Sequence, residues 1–245
     1  MTVIVGLQMR SFQALQTLAA TAPPQAALQT QEQQEKLRLQ LLRETPSFGY
    51  NNLVADWAFL SFLQYFGDTD RRSQVGYGVS PEFFEVIVDK DPYFVTPYLF
   101  LSTSTSLFAG EPERTVEIMT RGTAAMTPEV PAGGYQVWRL RGIDQLLFLG
   151  DGAGAQQSFE TAASWADQSS DPAAPSVAEA SRQTAAFLAQ NPVSKAAQIS
   201  AWIQVSNLAV DERTQRLAVE RIQALGGEIL QLDQGRITVR YRSDE

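Results

Sequence analysis

A turn signature repeats three times along this chain and limits what it can fold into. Phe66-Gly67-Asp68, Phe108-Ala109-Gly110-Glu111 and Phe148-Leu149-Gly150-Asp151 each set an aromatic residue just before a glycine and an acid, and the three glycines are almost evenly spaced. The stretch after each turn has helical apolar spacing and ends near a proline, at Pro92, Pro128 and Pro172. A helix, a Gly-acid turn, a second helix and a proline stop recurring about every 40 residues is the pattern of paired helices stacked on one another. The spacing predicts an all-α protein of antiparallel helix pairs arranged as a short solenoid.

The individual elements follow from periodicity and stop signals. Residues 2–19 place Ile4, Leu7, Phe12, Leu15 and Leu18 near helical spacing, and Pro23-Pro24 forbids a straight continuation. Residues 25–44 predict a polar helix with a narrow stripe at Leu37 and Leu41. Residues 51–68 are apolar most of the way round, with Leu53, Trp57, Leu60 and Gln64 on one face, and are expected in the middle of a stack. Asn51 or Asn52 is expected to cap this helix and Gly67 to end it in the left-handed conformation. A loop through Asp70-Arg71-Arg72 and Gly76-Tyr77-Gly78 leads to a helix that Ser80 is expected to cap, with Pro81 at its first helical position, and that stops at Asp91-Pro92. Further helices are expected over 97–108, 113–126, 135–149, 153–167, 179–189, 195–209 and 212–225. Two short β-type runs then flank Asp233-Gln234-Gly235, a hairpin signal whose Ile237, Val239 and Tyr241 share a side; it should cap the last helices or receive a strand from a partner. The expected organisation is an arm at 1–45, the helical repeat body at 46–225 and the hairpin and tail at 226–245.

At this point the chain resembles a tetratricopeptide-repeat protein. The clearest unit is Pro97 to Pro128, where Phe100 and Leu107 match large positions of the first helix, Ser104 the small one, Gly110 the turn and Pro128 the terminator. Val116 and Thr120 depart from the pattern, as does Asp144, which falls at the small-residue position of the next unit. The resemblance covers roughly residues 50–170. Residues 51–68 are also similar to uncharacterised repeat proteins of photosynthetic bacteria, some of which resemble photosystem assembly factors. Both resemblances imply a non-enzymatic scaffold or assembly factor that binds a protein partner.

Composition narrows the chemistry. There is no Cys and no His, which removes disulfides, thiolate nucleophiles, the commonest general base and the commonest transition-metal ligand. No cofactor and no metal site are expected. The net charge of −8 is spread evenly and no basic cluster emerges, so nucleic acid is not an expected partner. No apolar run approaches the roughly 20 residues of a membrane span. Val3-Ile4-Val5-Gly6-Leu7 fits either the stub of an anchor, which would give membrane association, or a short helix docking on the body.

Two acids and four tyrosines stand out as candidates. Asp56 and Asp144 fall inside apolar helices, where a buried carboxylate could serve acid catalysis. The structural alternative is that Asp56, one turn after Asn52, satisfies the helix start or pairs with an Arg, and that Asp144 pairs with Arg139, Arg141 or a neighbouring helix. Most of the aromatic residues between Tyr50 and Phe108 should be core, and Tyr65, Tyr77, Tyr93 and Tyr98 are expected to line a half-wet partner-binding groove. Two competing functions remain open: a carboxylate-dependent all-helical enzyme with two acids in one pocket, and a pigment- or lipid-binding protein with a deep dry cavity. Gly150-Asp-Gly-Ala-Gly154 lacks the lysine and the preceding strand of a phosphate loop and is expected to be a turn.

Overall fold

A computed structural model describes residues 24–240 other than 193, 234 and 235. Among them are eleven α-helices and a two-stranded antiparallel sheet, an all-α architecture with a small C-terminal hairpin. The helices are α1 (Pro24–Glu44), α2 (Asn51–Gly67), α3 (Thr69–Val75), α4 (Ser80–Lys90), α5 (Val95–Leu101), α6 (Pro112–Ala125), α7 (Gly134–Asp144), α8 (Gly152–Asp167), α9 (Ala174–Gln190), α10 (Lys195–Leu208) and α11 (Glu212–Ala224). Helices α5 and α7 each run on into a wider π-helical segment, Ser102–Phe108 and Gln145–Leu149. The helix expected over residues 2–19 lies outside the described residues.

The repeated turns owe their geometry to these π segments. In the first, the Glu111 amide donates to Thr105 O at 2.9 Å; in the second, the Asp151 amide donates to Gln145 O at 2.9 Å. Both bonds close a ring six residues back. Each requires an intervening glycine in the left-handed region, Gly110 at φ 68° and Gly150 at φ 66°. Asp151 then caps α8 by accepting from the Gly154 amide at 2.9 Å. The first repeat differs: Gly67 stays in the helix at an ordinary φ, and Asp68 caps α3 by accepting from the Arg71 amide. Without the residue inserted between aromatic and glycine, no wide turn forms and the expected left-handed stop is absent. The segment expected as a loop at Asp70-Arg71-Arg72 is therefore helical. The expected asparagine cap of α2 also fails, since its capping position is Tyr50 and no side chain bonds the helix start.

Packing proceeds largely by neighbours. Helices α7, α8 and α9 pack closely because small residues line their contacts: Gly142 on α7, Ala155, Ser158, Ala162 and Ala166 on α8, and Ala174, Ala178, Ser181 and Ala185 on α9. A Cβ at Gly142 would lie 3.1 Å from the Phe159 ring. Helix α9 starts at Ala174, ahead of the expected Glu179, with a proline in its first turn. Helices α10 and α11 pair with each other, and α10 packs on both π segments; Trp202 donates its indole N–H to Phe148 O at 3.4 Å. Ile229 and Val239, partners in the hairpin register, lean on the Trp202 and Ile222 cluster, so the hairpin sits on the last helices as expected. The side chains of Ile237 and Tyr241 lie outside the described residues.

The larger core surrounds Phe62. Its ring centroid lies 4.6 Å from that of Phe84, 5.5 Å from Phe66 and 6.0 Å from Phe83, joining α2 to α4. Helix α1 attaches to this body differently. Its buried apolar contact is Leu39, whereas the leucines expected to form its stripe, Leu37 and Leu41, face water. Charge fastens it instead: Glu32 meets Arg72 at 2.8 and 3.2 Å, Lys36 meets Glu82 at 3.7 Å, and Arg43 pairs with Glu85 and Asp89.

The difference between the turns has a measurable result. Replacing Gly110 by Ala forces a Cβ into the left-handed region, a cost of about 1–2 kcal/mol. Gly67→Ala, at a helical position with nothing within 4 Å of the added Cβ, should be neutral or slightly stabilising. Urea denaturation of the two variants beside wild type checks this, and equal effects would refute the assignment of the turns.

Candidate functional site

The candidates expected from sequence separate into a buried polar seam and an exposed apolar face. The seam lies where the two π segments meet α6, α7, α8 and α10. Ser104, Thr105, Ser106, Thr115, Asp144 and Ser158 are all fully buried there. Ser106 donates to Thr115 Oγ1 at 2.9 Å, and Ser158 donates to Gln145 Oε1 at 2.6 Å. Small hydroxyls in the π segment Ser102–Phe108 allow close packing.

Asp144 is the exception within the seam. Neither of its carboxylate oxygens finds a hydrogen-bond donor among the described residues. The arginines expected to pair with it turn elsewhere; Arg141 places its guanidinium over the Trp138 ring at 4.8 Å. Burial pushes the Asp144 carboxyl up from its ordinary 3.8 to about 6, and the nearby Ser106 and Ser102 hydroxyls offset this only in part. Asp56 does not join it: Asp56 is exposed on α2, so the buried-carboxylate reading fails there. The two acids stand on different helices, and neither lines the clefts described below, which leaves the paired-acid pocket unformed. Among the described residues no cluster of three carboxylates could hold a metal ion.

The four tyrosines do not form one groove. Tyr98 is fully buried and donates to Pro92 O at 3.0 Å, its ring fitting where Gly122 leaves room; a Cβ there would lie 1.9 Å from the hydroxyl. Tyr77 is buried between Phe66 and Phe108. Tyr65 lies under the Arg72 guanidinium at 3.8 Å and accepts from the Val79 amide at 3.1 Å. Burial pushes the Tyr65 phenol well up, with the Arg72 charge working against it. Tyr93 alone of the four is exposed. Periodicity cannot see the void at Gly122 or the buried cation at Arg72, so all four look alike in sequence.

The exposed face is what the sequence does not disclose. Helix α2 buries Ala55, Ala58, Phe59 and Phe62 on one side, and its other side carries Leu53 and Leu60, which are 64 % and 60 % exposed, with Trp57 and Leu63 between and beyond them. The helix is therefore at the edge of the stack and not in its middle. Helix α1 adds Leu37 and Leu41, which flank Arg38, and the Arg38 guanidinium lies 4.5 Å above the Trp57 ring. The connecting loop adds Phe48 and Tyr50, also exposed. Leu53, Trp57 and Leu60 follow one another at helical spacing along α2, and an exposed apolar stripe of this kind is uncommon on a surface without a partner.

Clefts open on both sides of α1. One of about 1120 Å3 lies between α1, the end of α3 and the start of α11, and one of about 520 Å3 lies between α1 and α2 and includes Tyr65. The larger mixes valines with polar and charged side chains, and the walls of the smaller are mainly polar. Thr214 in the larger cleft donates to Asp211 Oδ2 at 2.9 Å, but that bond belongs to the cap of α11. Neither cleft is the deep dry cavity a pigment or lipid would need. No helix of the described residues is long and apolar enough to cross a membrane.

Compared with protein-family models, curated proteins and solved structures, the chain matches none.

The raised Asp144 carboxyl makes stability pH-dependent. Below its unfolded pKa near 3.8 the group is neutral in both states. Between there and about 6 the unfolded chain ionises and the native protein does not, so stability falls as pH rises and levels off above 6. A shift of about two units corresponds to roughly 3 kcal/mol. Asp144→Asn should remove this component: its urea midpoint should exceed that of wild type at pH 7 and converge with it near pH 4. A midpoint difference independent of pH would refute the assignment.

Proposed function

We infer that this protein is a non-enzymatic helical scaffold that binds a protein partner through the apolar face of α2 and the adjoining edge of α1. One observation carries the reading: Leu53, Trp57 and Leu60 recur at helical spacing on the exposed side of a helix whose other side is core. An apolar stripe of this spacing suits an apolar helix laid against it, and a large aromatic at its centre is the kind of residue that dominates binding energy in such contacts. The neighbouring charges, Arg38 and Asp56, supply a polar rim.

The tetratricopeptide-like reading of the body draws support from the two glycine turns of common geometry, and membrane association and photosynthetic complex assembly rest on the sequence resemblances and the apolar N-terminal run. An enzyme reading has less to stand on. It asks for two acids facing one pocket, and Asp56 and Asp144 occupy opposite environments.

Affinity capture from the native cell's membrane and soluble fractions tests the scaffold reading. Trp57→Glu with Leu60→Glu changes two exposed positions, so the variant should keep its circular dichroism spectrum and lose less than about 1 kcal/mol of stability. It should also lose the proteins recovered by wild type, while Tyr93→Ala retains them. Recovery of the same set by the double variant would remove this face from the interaction.

A further inference from the structure

The charges beside the bare stripe of α2 restrict what can lie on it. Each residue of a helix turns by about 100°, so Leu53, Leu60 and Gln64 fall close to one line on the exposed side, with Trp57 displaced to one flank of that line and Asp56 to the other. The Arg38 guanidinium, 4.5 Å above the Trp57 ring, stands on the Trp57 flank. Its own carboxylate contact is Glu35 at 3.4 Å, an exposed pair within α1. Asp56 is exposed and forms no ion pair among the described residues. The stripe thus has a cation on one flank and an anion on the other, at nearly the same height along the helix. Apart from Asp56, α2 carries no charged side chain.

We propose that the α2 stripe docks on the same stripe of a second copy of this chain, the two helices running parallel about a two-fold axis directed along them. This rests on the reading of that face as a docking site and names its occupant. Rotation about an axis parallel to α2 keeps each residue at its own height and exchanges the flanks, so Arg38 of each copy comes to the flank that holds Asp56 of the other. An antiparallel two-fold pairing leaves the flanks where they are, with both Arg38 side chains on one side and both Asp56 side chains on the other, which repels. Near the axis Leu53 and Leu60 meet their own counterparts, and Gln64 meets Gln64 through amides that both donate and accept. Leu53, Trp57, Leu60 and Gln64 follow one another in steps of four, three and four residues, the spacing of a two-helix seam. A uniformly acidic or basic helix would satisfy one flank and oppose the other, whereas a second copy answers both with its own residues.

The stripe is small beside a standard interface, so the dimer is weak and its population rises with concentration. Sedimentation velocity on the purified full-length chain should show it growing in between the micromolar and hundred-micromolar ranges. Arg38→Glu should raise the dissociation constant severalfold, and adding Asp56→Arg should restore most of the loss, because each copy then carries both exchanged charges. The chain has no cysteine, so a single substitution reports on the symmetry. Leu53→Cys and Leu60→Cys should each give disulfide-linked dimers on mild oxidation far faster than Phe187→Cys, an exposed position on α9. A chain that stays monomeric throughout would overturn the proposal, as would links no faster than the α9 control or a double charge reversal no better than the single one. A monomeric chain whose capture of other proteins still depends on Trp57 and Leu60 removes the second copy alone. A dimer broken by Trp57→Glu with Leu60→Glu, with the captured proteins unchanged, removes the heterologous docking reading alone.

Discussion

Much of the structure hangs on α4, which has to satisfy two unlike surfaces within eleven residues. One side carries Phe83, Phe84 and Ile87 into the aromatic core around Phe62. The other carries Glu82, Glu85 and Asp89 one turn apart, which in isolation would repel one another. Arginines from both sides resolve this. Arg43 reaches Glu85 and Asp89 from α1, Arg114 reaches Glu85 at 2.6 Å and Glu82 at 3.2 Å from α6, and Arg121 reaches Asp89 at 3.3 Å. Burial alone would push the Glu85 carboxyl up, yet the bond from Arg114 and the charges of Arg114, Arg43 and Arg121 hold it below the usual carboxylate range. The acids thus become the means by which α1 and α6 are fixed around α4.

The polar seam at the π segments follows a different logic. Widening α5 and α7 at their ends lets α10 and α11 close over two glycine turns: Leu217 and Thr214 lie against Gly110, and Gln198 lies against Gly150. The same widening brings serines and threonines into the interior and sets Asp144 beside them without a donor. A buried carboxylate in this condition stays neutral up to about pH 6 and ionises above it at a cost to stability that apolar replacement would avoid.

What is legible in the sequence is what local chemistry alone decides. The glycine turns at 110 and 150 and the hairpin on the last helices depend on residues close in sequence, and there expectation and structure agree, whereas the expected Ser80 cap of α4 fails: Val79 holds that position and the Ser80 hydroxyl is buried without a partner among the described residues. Gly67 departs from expectation because the missing inserted residue changes the turn without changing its look. The stripe on α1 departs for a deeper reason: a helix held by ion pairs need not turn its leucines inward, so Leu39 is buried while Leu37 and Leu41 are not. Sorting Tyr98 from Tyr93 depends on Gly122, which stands on α6 and far from Tyr98 along the chain, and no pattern within either helix reports it. The bare side of α2 has the same origin, since apolar periodicity shows what could be buried and not what is.

Fastening α1 by charge also separates its fate from that of the rest. Ions in solution screen pairs near the surface over roughly 8–10 Å at physiological salt, and the contacts of Lys36 and Arg43 lie near that surface. The Glu32 bond to the buried Arg72 is sheltered and acts as a pivot near the start of the helix. The contacts of its far end weaken as salt rises, while Leu39 stays inside the aromatic core. The strength of that hold is set by ionic surroundings, which makes this edge of the molecule responsive to its medium while the interior stays as it is.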